Sequence, residues 1–190
     1  NDIYPLNLAV LGKHNAMNAA ACSAIGLAAG LSWQQIIQGL QAFNGVAGRL
    51  QKQQIKTGWL LDDSYNANPE SLKAGIEAVT SLPGEAILCI GAMAEVGETS
   101  DQAHQEIAEF AASKGAKNLF VYGEAAKQMP QYFGGNAKYF TSHMAMAEEV
   151  NKILQLAKEQ QQQVNVLVKG SRSAAMEKVA QPILTLMKVK

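Results

Sequence analysis

Ten residues hold more potential chemistry than any other stretch of this chain: Asp62-Asp63-Ser64-Tyr65-Asn66-Ala67-Asn68-Pro69-Glu70-Ser71. Two carboxylates, a phenol and two amides follow the apolar run Trp59-Leu60-Leu61, which reads as the end of a buried strand. Asn68 suits an N-cap and Pro69 the first position of a helix. The cluster therefore belongs at the carboxyl end of a strand, the edge where open α/β sheets bind ligands. Burying so many polar groups without partners is costly, which favours a cleft. Asp63 suits a ribose hydroxyl or a metal, while Asn66 and Asn68 suit either that site or the shaping of a turn.

Three more clusters lie at helix starts or strand ends. Gly12-Lys13-His14-Asn15 is followed by Asn18, one helical turn on. An amide donates and accepts, as reading a purine edge requires, although Asn15 also suits simple capping. Gly45-Val46-Ala47-Gly48-Arg49 places a guanidinium after a flexible link, where its fork of donors suits a phosphate, a ribose or a surface ion pair. Lys169-Gly170-Ser171-Arg172 joins the last strand to a helix expected to start at Ser171. Two cations, a hydroxyl and a helix N-terminus make either an anion site or a well-capped helix. His104 and His143 read as surface or capping residues, and Glu95 and Glu98 as solvated loop charges near the same cleft.

Composition bounds these options. The 190 residues suffice for one domain with a sizeable core, or a domain plus part of another. Lys plus Arg equals Asp plus Glu at 16 each, so no basic surface recommends nucleic acid as a partner. The longest aliphatic stretch, near Ile25 to Leu31, is too short to span a bilayer. Cys22 and Cys89 lie in apolar surroundings and read as buried free thiols of a reducing compartment. No metal-ligand spacing, dinucleotide fingerprint or phosphate-cradling loop is present. The opening Asn and the apolar run Leu8 to Leu11 suggest an orphaned strand, in a chain trimmed from a longer protein.

The positioning elements follow from periodicity. Helices are expected over 14–29, with Met17, Ala20, Ala21, Ala24, Ile25 and Ala28 inward, and over 33–43 behind a Ser32/Gln35 capping box. Strands are expected at 55–61 (with a break at Gly58), 86–90, 118–122, 137–140 and 164–168. Helices at 69–81, 101–113, 124–129, 143–160 and 171–187 intervene. This alternation means βαβ units: an α/β fold with a Rossmann-like, mostly parallel sheet covered by helices on both faces.

Taken in order, five motifs resemble the Mur ligase family, the ATP-dependent amide ligases of peptidoglycan assembly. They are Gly12 to Ala21, Gly48-Arg49-Leu50, Asp62 to Pro69, Gly91-Ala92-Met93-Ala94-Glu95-Val96-Gly97 and Lys169 to Arg172. Ala92 departs from the pattern, which has Asp at that place. The forms of the third and fifth motifs resemble the member that joins D-Ala-D-Ala to UDP-MurNAc-tripeptide. The resemblance implies that residues 1–45 end a central ATP-binding domain and that residues 46–190 form a C-terminal Rossmann-like domain. It implies that His14, Asn15 and Asn18 lie on the adenine side of ATP, with Arg49 and Asp63 at its ribose and phosphates. It implies that Tyr65, Asn66 and Asn68 face the incoming dipeptide, and that Lys169, Ser171 and Arg172 face the reacting groups as catalytic residues. Magnesium ligands would lie upstream of this chain. A carboxylate would take the γ-phosphate of ATP, and the dipeptide amine would then displace phosphate from the acyl phosphate. The implied protein is cytoplasmic and monomeric. Sibling ligases with other amines, and a non-catalytic nucleotide-binding module, remain as rivals.

Overall fold

The computed structural model describes residues 3–10, 12–94, 97 and 100–189. The chain falls into two compact units, residues 1–46 and 47–190. In the first, α1 (Lys13–Ala28) and α2 (Trp33–Ala42) pack together, and α2 opens on the expected Ser32/Gln35 capping box. Residues 3–10 hold no strand, contrary to expectation, and Leu11 lies outside the described residues. The inward face of α1 is also not the expected one. Ala19 and Gly26 are buried, whereas Met17 and Ile25 are 64% and 69% exposed, and Ala20, Ala21, Ala24 and Ala28 are exposed too. The reason is steric: a Cβ on Gly26 would lie 3.0 Å from Ile36 Cγ1, so Ile36 of α2 nests where α1 has no side chain. Cys22 is correspondingly exposed and only Cys89 is buried.

The second unit alternates strands and helices: β1 (Gln51–Ile55), β2 (Gly58–Asp63), α3 (Pro69–Thr80), β3 (Glu85–Gly91), α4 (Ser100–Ser113), β4 (Asn118–Tyr122), α5 (Met129–Phe133), β5 (Asn136–Phe140), α6 (His143–Glu159), β6 (Val164–Lys169) and α7 (Glu177–Met187). The six strands lie in the order β1-β2-β6-β3-β4-β5, parallel except for β1. The expected strand 55–61 is a hairpin of two strands, with Ile55 opposite Gly58. The sequence Gln-Lys-Gln-Gln carries no apolar alternation, but an edge strand tolerates polar residues, and Lys52 lies 3.9 Å over the Trp59 ring.

Helices α3, α4 and α5 cover one face and α6 and α7 the other. The α6/α7 side forms a dry core in which Ile87, Cys89, Phe120, Val166 and Val168 meet Val150, Leu154, Val179 and Ile183. Strand β6 sends its chain to α7 on one face, while its neighbours β2 and β3 send theirs to α3 and α4 on the other. Crevices therefore open on both sides of the carboxyl end of β6, the switch-point geometry at which α/β sheets bind ligands.

Candidate functional site

On the β2 side of β6, Asp63 lies opposite Lys169 in register. Lys169 Nζ donates to Asp63 Oδ2 at 2.6 Å and to the Asn66 carbonyl at 2.9 Å, with its side chain only 3% exposed. Asp63 Oδ1 accepts the Leu50 N–H at 2.8 Å. Leu50 is buried with φ at 50°, a strained state for a branched side chain that the carboxylate helps to hold. Asp62 Oδ1 accepts from Ser64 Oγ (2.6 Å) and Ser64 N–H (3.2 Å), which bends the chain after β2. The Tyr65 N–H then donates to the Gly48 carbonyl at 2.9 Å. Gly48 has φ of 70° and a Cβ there would sit 3.1 Å from Tyr65 N, so the turn requires glycine.

These buried contacts present an exposed face. The Arg49 guanidinium lies 4.3 Å from the Tyr65 ring centroid, and Tyr65 is 47% exposed. Asn66 and Asn68 are exposed beside them. Asn68 caps α3 as expected, its Oδ1 accepting the Ser71 N–H at 2.8 Å. The planar cation stacked on a phenol offers donors and a π-face to one ligand, as a nucleotide needs.

On the β3 side, the expected helix start at Ser171 gives way to a 3-10 turn, Arg172–Ala174, and α7 begins at Glu177. The left-handed Ala175, with φ of 48°, separates the two. No helix N-terminus therefore stands at Ser171. Ser171 is buried, and its N–H (3.2 Å) and Oγ (2.7 Å) both donate to the Ala92 carbonyl. Arg172 forks onto Glu177, at 2.9 and 3.3 Å, and is largely exposed. Gly91 and Gly170 touch: a Cβ on Gly170 would lie 2.9 Å from Gly91 Cα.

The structure thus gathers Arg49, Asp63, Tyr65, Asn66 and Lys169 on one flank of β6, and Ser171 and Arg172 on the other. His14, Asn15 and Asn18 lie in the opening turns of α1 in the other unit, with Asn15 half-buried and Asn18 exposed. Glu95 and Glu98 lie outside the described residues. Among the described residues no three His, Cys, Asp or Glu side chains gather to hold a metal. Also among them, no helix is long and apolar enough to cross a membrane.

Two histidines read as peripheral have tertiary partners. His143 starts α6, but its Nε2 lies 2.7 Å from the Ala174 carbonyl and its ring packs on Tyr122. His104 is not on the surface at all; it is 2% exposed. Its spacing with Ile107, Ala108 and Ala111, the buried stripe of α4, is the signal that places it inward.

A mostly parallel sheet covered on both faces, with polar loops at the β6 switch point, defines an α/β domain of the kind that binds ligands at that edge. Residues 48–172 match the family model described as Mur ligase, glutamate ligase domain, and the chain belongs to this family. Among its relatives is the UDP-N-acetylmuramoyl-tripeptide–D-alanyl-D-alanine ligase of Escherichia coli, 34% identical over 90% of this chain and 37% of that protein. The corresponding enzyme of Haemophilus influenzae is 34% identical over 92% of this chain and 38% of its own length. The chain therefore spans less than two fifths of the length of these curated relatives. A crystal structure of MurF from Acinetobacter baumannii superposes with a TM-score of 0.85 and 28% identity, covering 95% of this chain and 40% of that one.

Proposed function

We propose that this chain is the C-terminal part of an ATP-dependent amide ligase of peptidoglycan precursor synthesis, which joins D-Ala-D-Ala to UDP-MurNAc-tripeptide. In this reading residues 1–45 end a central ATP-binding domain and residues 46–190 form the C-terminal ligase domain. The observation that carries it is the Arg49–Tyr65 face, exposed beside the Asp63–Lys169 ion pair, in a chain whose relatives bear that ligase name. Arg49 and Tyr65 fit a nucleotide: the guanidinium supplies donors to phosphate or ribose and the phenol a wall. Asp63, engaged by Lys169 and the Leu50 N–H, positions Arg49 through the Gly48–Leu50 turn and offers its remaining lone pairs to a ribose hydroxyl. His14, Asn15 and Asn18 lie on the adenine side. The exposed alanine-rich stripe of α1 is the face on which the rest of the ATP-binding domain packs.

ATP would supply the phosphoryl group that activates a carboxylate for amide formation, and magnesium would be held mainly by residues upstream of this chain. The residues here orient and shield. Asn66 and Asn68 border the approach of the dipeptide, Arg172 offers its exposed guanidinium to charge developing on oxygen, and Lys169 and Ser171 fix the two flanks of β6. Closing this domain over the reacting groups excludes the water that would compete with the amine. The protein works in the cytoplasm as a monomer.

The test is phosphate release by the chain joined to the upstream domains of its relatives, with ATP, magnesium and UDP-MurNAc-tripeptide, with and without D-Ala-D-Ala. Release that requires the dipeptide is expected. Release indifferent to it would overturn the assignment of the amine, and tight ATP binding by this chain alone would favour a binding module. In the same assay Arg49→Ala should cost about 1.5–3 kcal/mol in kcat/KM for ATP, the scale of a hydrogen bond to a charged group. Unchanged kinetics would remove Arg49 from the site.

A further inference from the structure

One peptide unit, Ala92–Met93, is clamped at both of its polar atoms. Its carbonyl, that of Ala92, accepts both Ser171 bonds, at 3.2 and 2.7 Å. Its N–H, that of Met93, donates to His104 Nε2 at 3.0 Å. The other ring nitrogen of His104 lies 2.7 Å from the Ser100 carbonyl. A carbonyl only accepts, so Nδ1 carries the proton and Nε2 keeps a lone pair for Met93. Only the neutral imidazole in this one tautomer serves both partners. The Ala92 N–H, on the preceding peptide unit, donates to the Tyr122 carbonyl at 2.8 Å, so the two peptides flanking Ala92 tie together the ends of β3, β4 and β6.

We infer that His104 is a positioning residue of the site. As a neutral acceptor it fixes the plane of the Ala92–Met93 peptide and, through the Ala92 carbonyl, the Ser171 hydroxyl and the Gly170–Arg172 turn. Rotation of that peptide would withdraw the acceptor to which both Ser171 donors point. His104 touches no reacting group; it acts through Ser171. The catalytic half of the inference rests on the ligase reading above, whereas the clamp itself does not.

The clamp is tested on the 190-residue chain, and its consequence on the longer ligase. In the wild-type chain, ¹⁵N NMR of the imidazole should show the Nδ1–H tautomer, and Met93 N–H should be protected from hydrogen exchange. His104→Phe removes the acceptor; it should raise Met93 exchange at least about tenfold and lower kcat about tenfold or more while leaving KM for ATP unchanged, as misplacement of a catalytic loop does. In His104→Gln the Oε1 atom replaces Nε2 as acceptor and should restore both readouts. An Nε2–H tautomer in the wild type would overturn the inference, as would a Gln variant as impaired as Phe or a Phe variant with native exchange and kcat. If the Phe variant does not fold, the wild-type tautomer and the Gln variant still decide. Failure of dipeptide-dependent turnover in the wild type would instead overturn the ligase reading, and the exchange data would judge the clamp alone.

Discussion

The two flanks of β6 hold the same strand end by opposite means. Towards β2 the junction is ionic: Lys169, 3% exposed, and Asp63, 15% exposed, meet at 2.6 Å and make further bonds with backbone. Towards β3 it is neutral: two glycines in contact, and a buried serine and a buried imidazole bonded to one peptide. A buried charge left alone is far worse than a buried hydroxyl left alone. The ionic flank should therefore fail abruptly when one partner is lost, and the neutral flank by graded loosening. The exposed recognition groups sit over these supports and need not contribute to them.

The sharpest way to break this contrast is Lys169→Met. It strands the Asp63 carboxylate and should cost about 3–5 kcal/mol in urea unfolding. Adding Asp63→Leu should recover much of that loss, and failure to recover would mean the pair is not the source of the effect. Gly170→Ala comes next. Its methyl would meet Gly91 Cα at 2.9 Å and Met176 Cγ at 2.7 Å, so about 1–3 kcal/mol of overpacking is expected. A neutral result would show that the two strand ends can part.

His104 gives the neutral flank a pH dependence. Burial, the largest influence, pushes its pKa below the usual value near 6.5, against the Ser100 carbonyl and Asp101, which push it up. The unfolded chain then binds the proton more readily, so stability is complete above pH 6.5. It declines as pH falls from there towards the lowered folded value, by at most about 1.4 kcal/mol per pH unit. Unfolding free energies measured over pH 5–8 should show this slope, and His104→Gln should remove it. The smallest effect belongs to Arg172→Ala. The Arg172–Glu177 pair is largely exposed at its arginine end and should contribute under about 1 kcal/mol. A larger loss in thermal unfolding would move Arg172 from the recognition face into the framework.

Much of the local structure was legible. Asn68 and Pro69 mark the start of α3 because a cap and a fixed φ act within four residues. The apolar runs around Ile87 and Val166 announce strands covered on both faces. Where reading failed, packing between elements had decided. Strand β1 forms from polar residues because β2 offers it a partner. The inward face of α1 is set by the groove at Gly26 rather than by its alanines. His104 is buried because it lies on the inward stripe of α4 and meets the Met93 N–H just past the end of β3.

Short-range signals settle the alternation of strands and helices, the caps, and the place of the Asp62–Pro69 and Lys169–Arg172 clusters at strand ends, since all of these depend on neighbours within a few residues. The position of β6 between β2 and β3 comes from packing across the whole sheet. That order brings Asp63 to Lys169 and Ser171 to Ala92, groups 106 and 79 residues apart along the chain. The physical reason is that hydrogen bonds and ion pairs reach about 3 Å, whatever the length of chain between their partners.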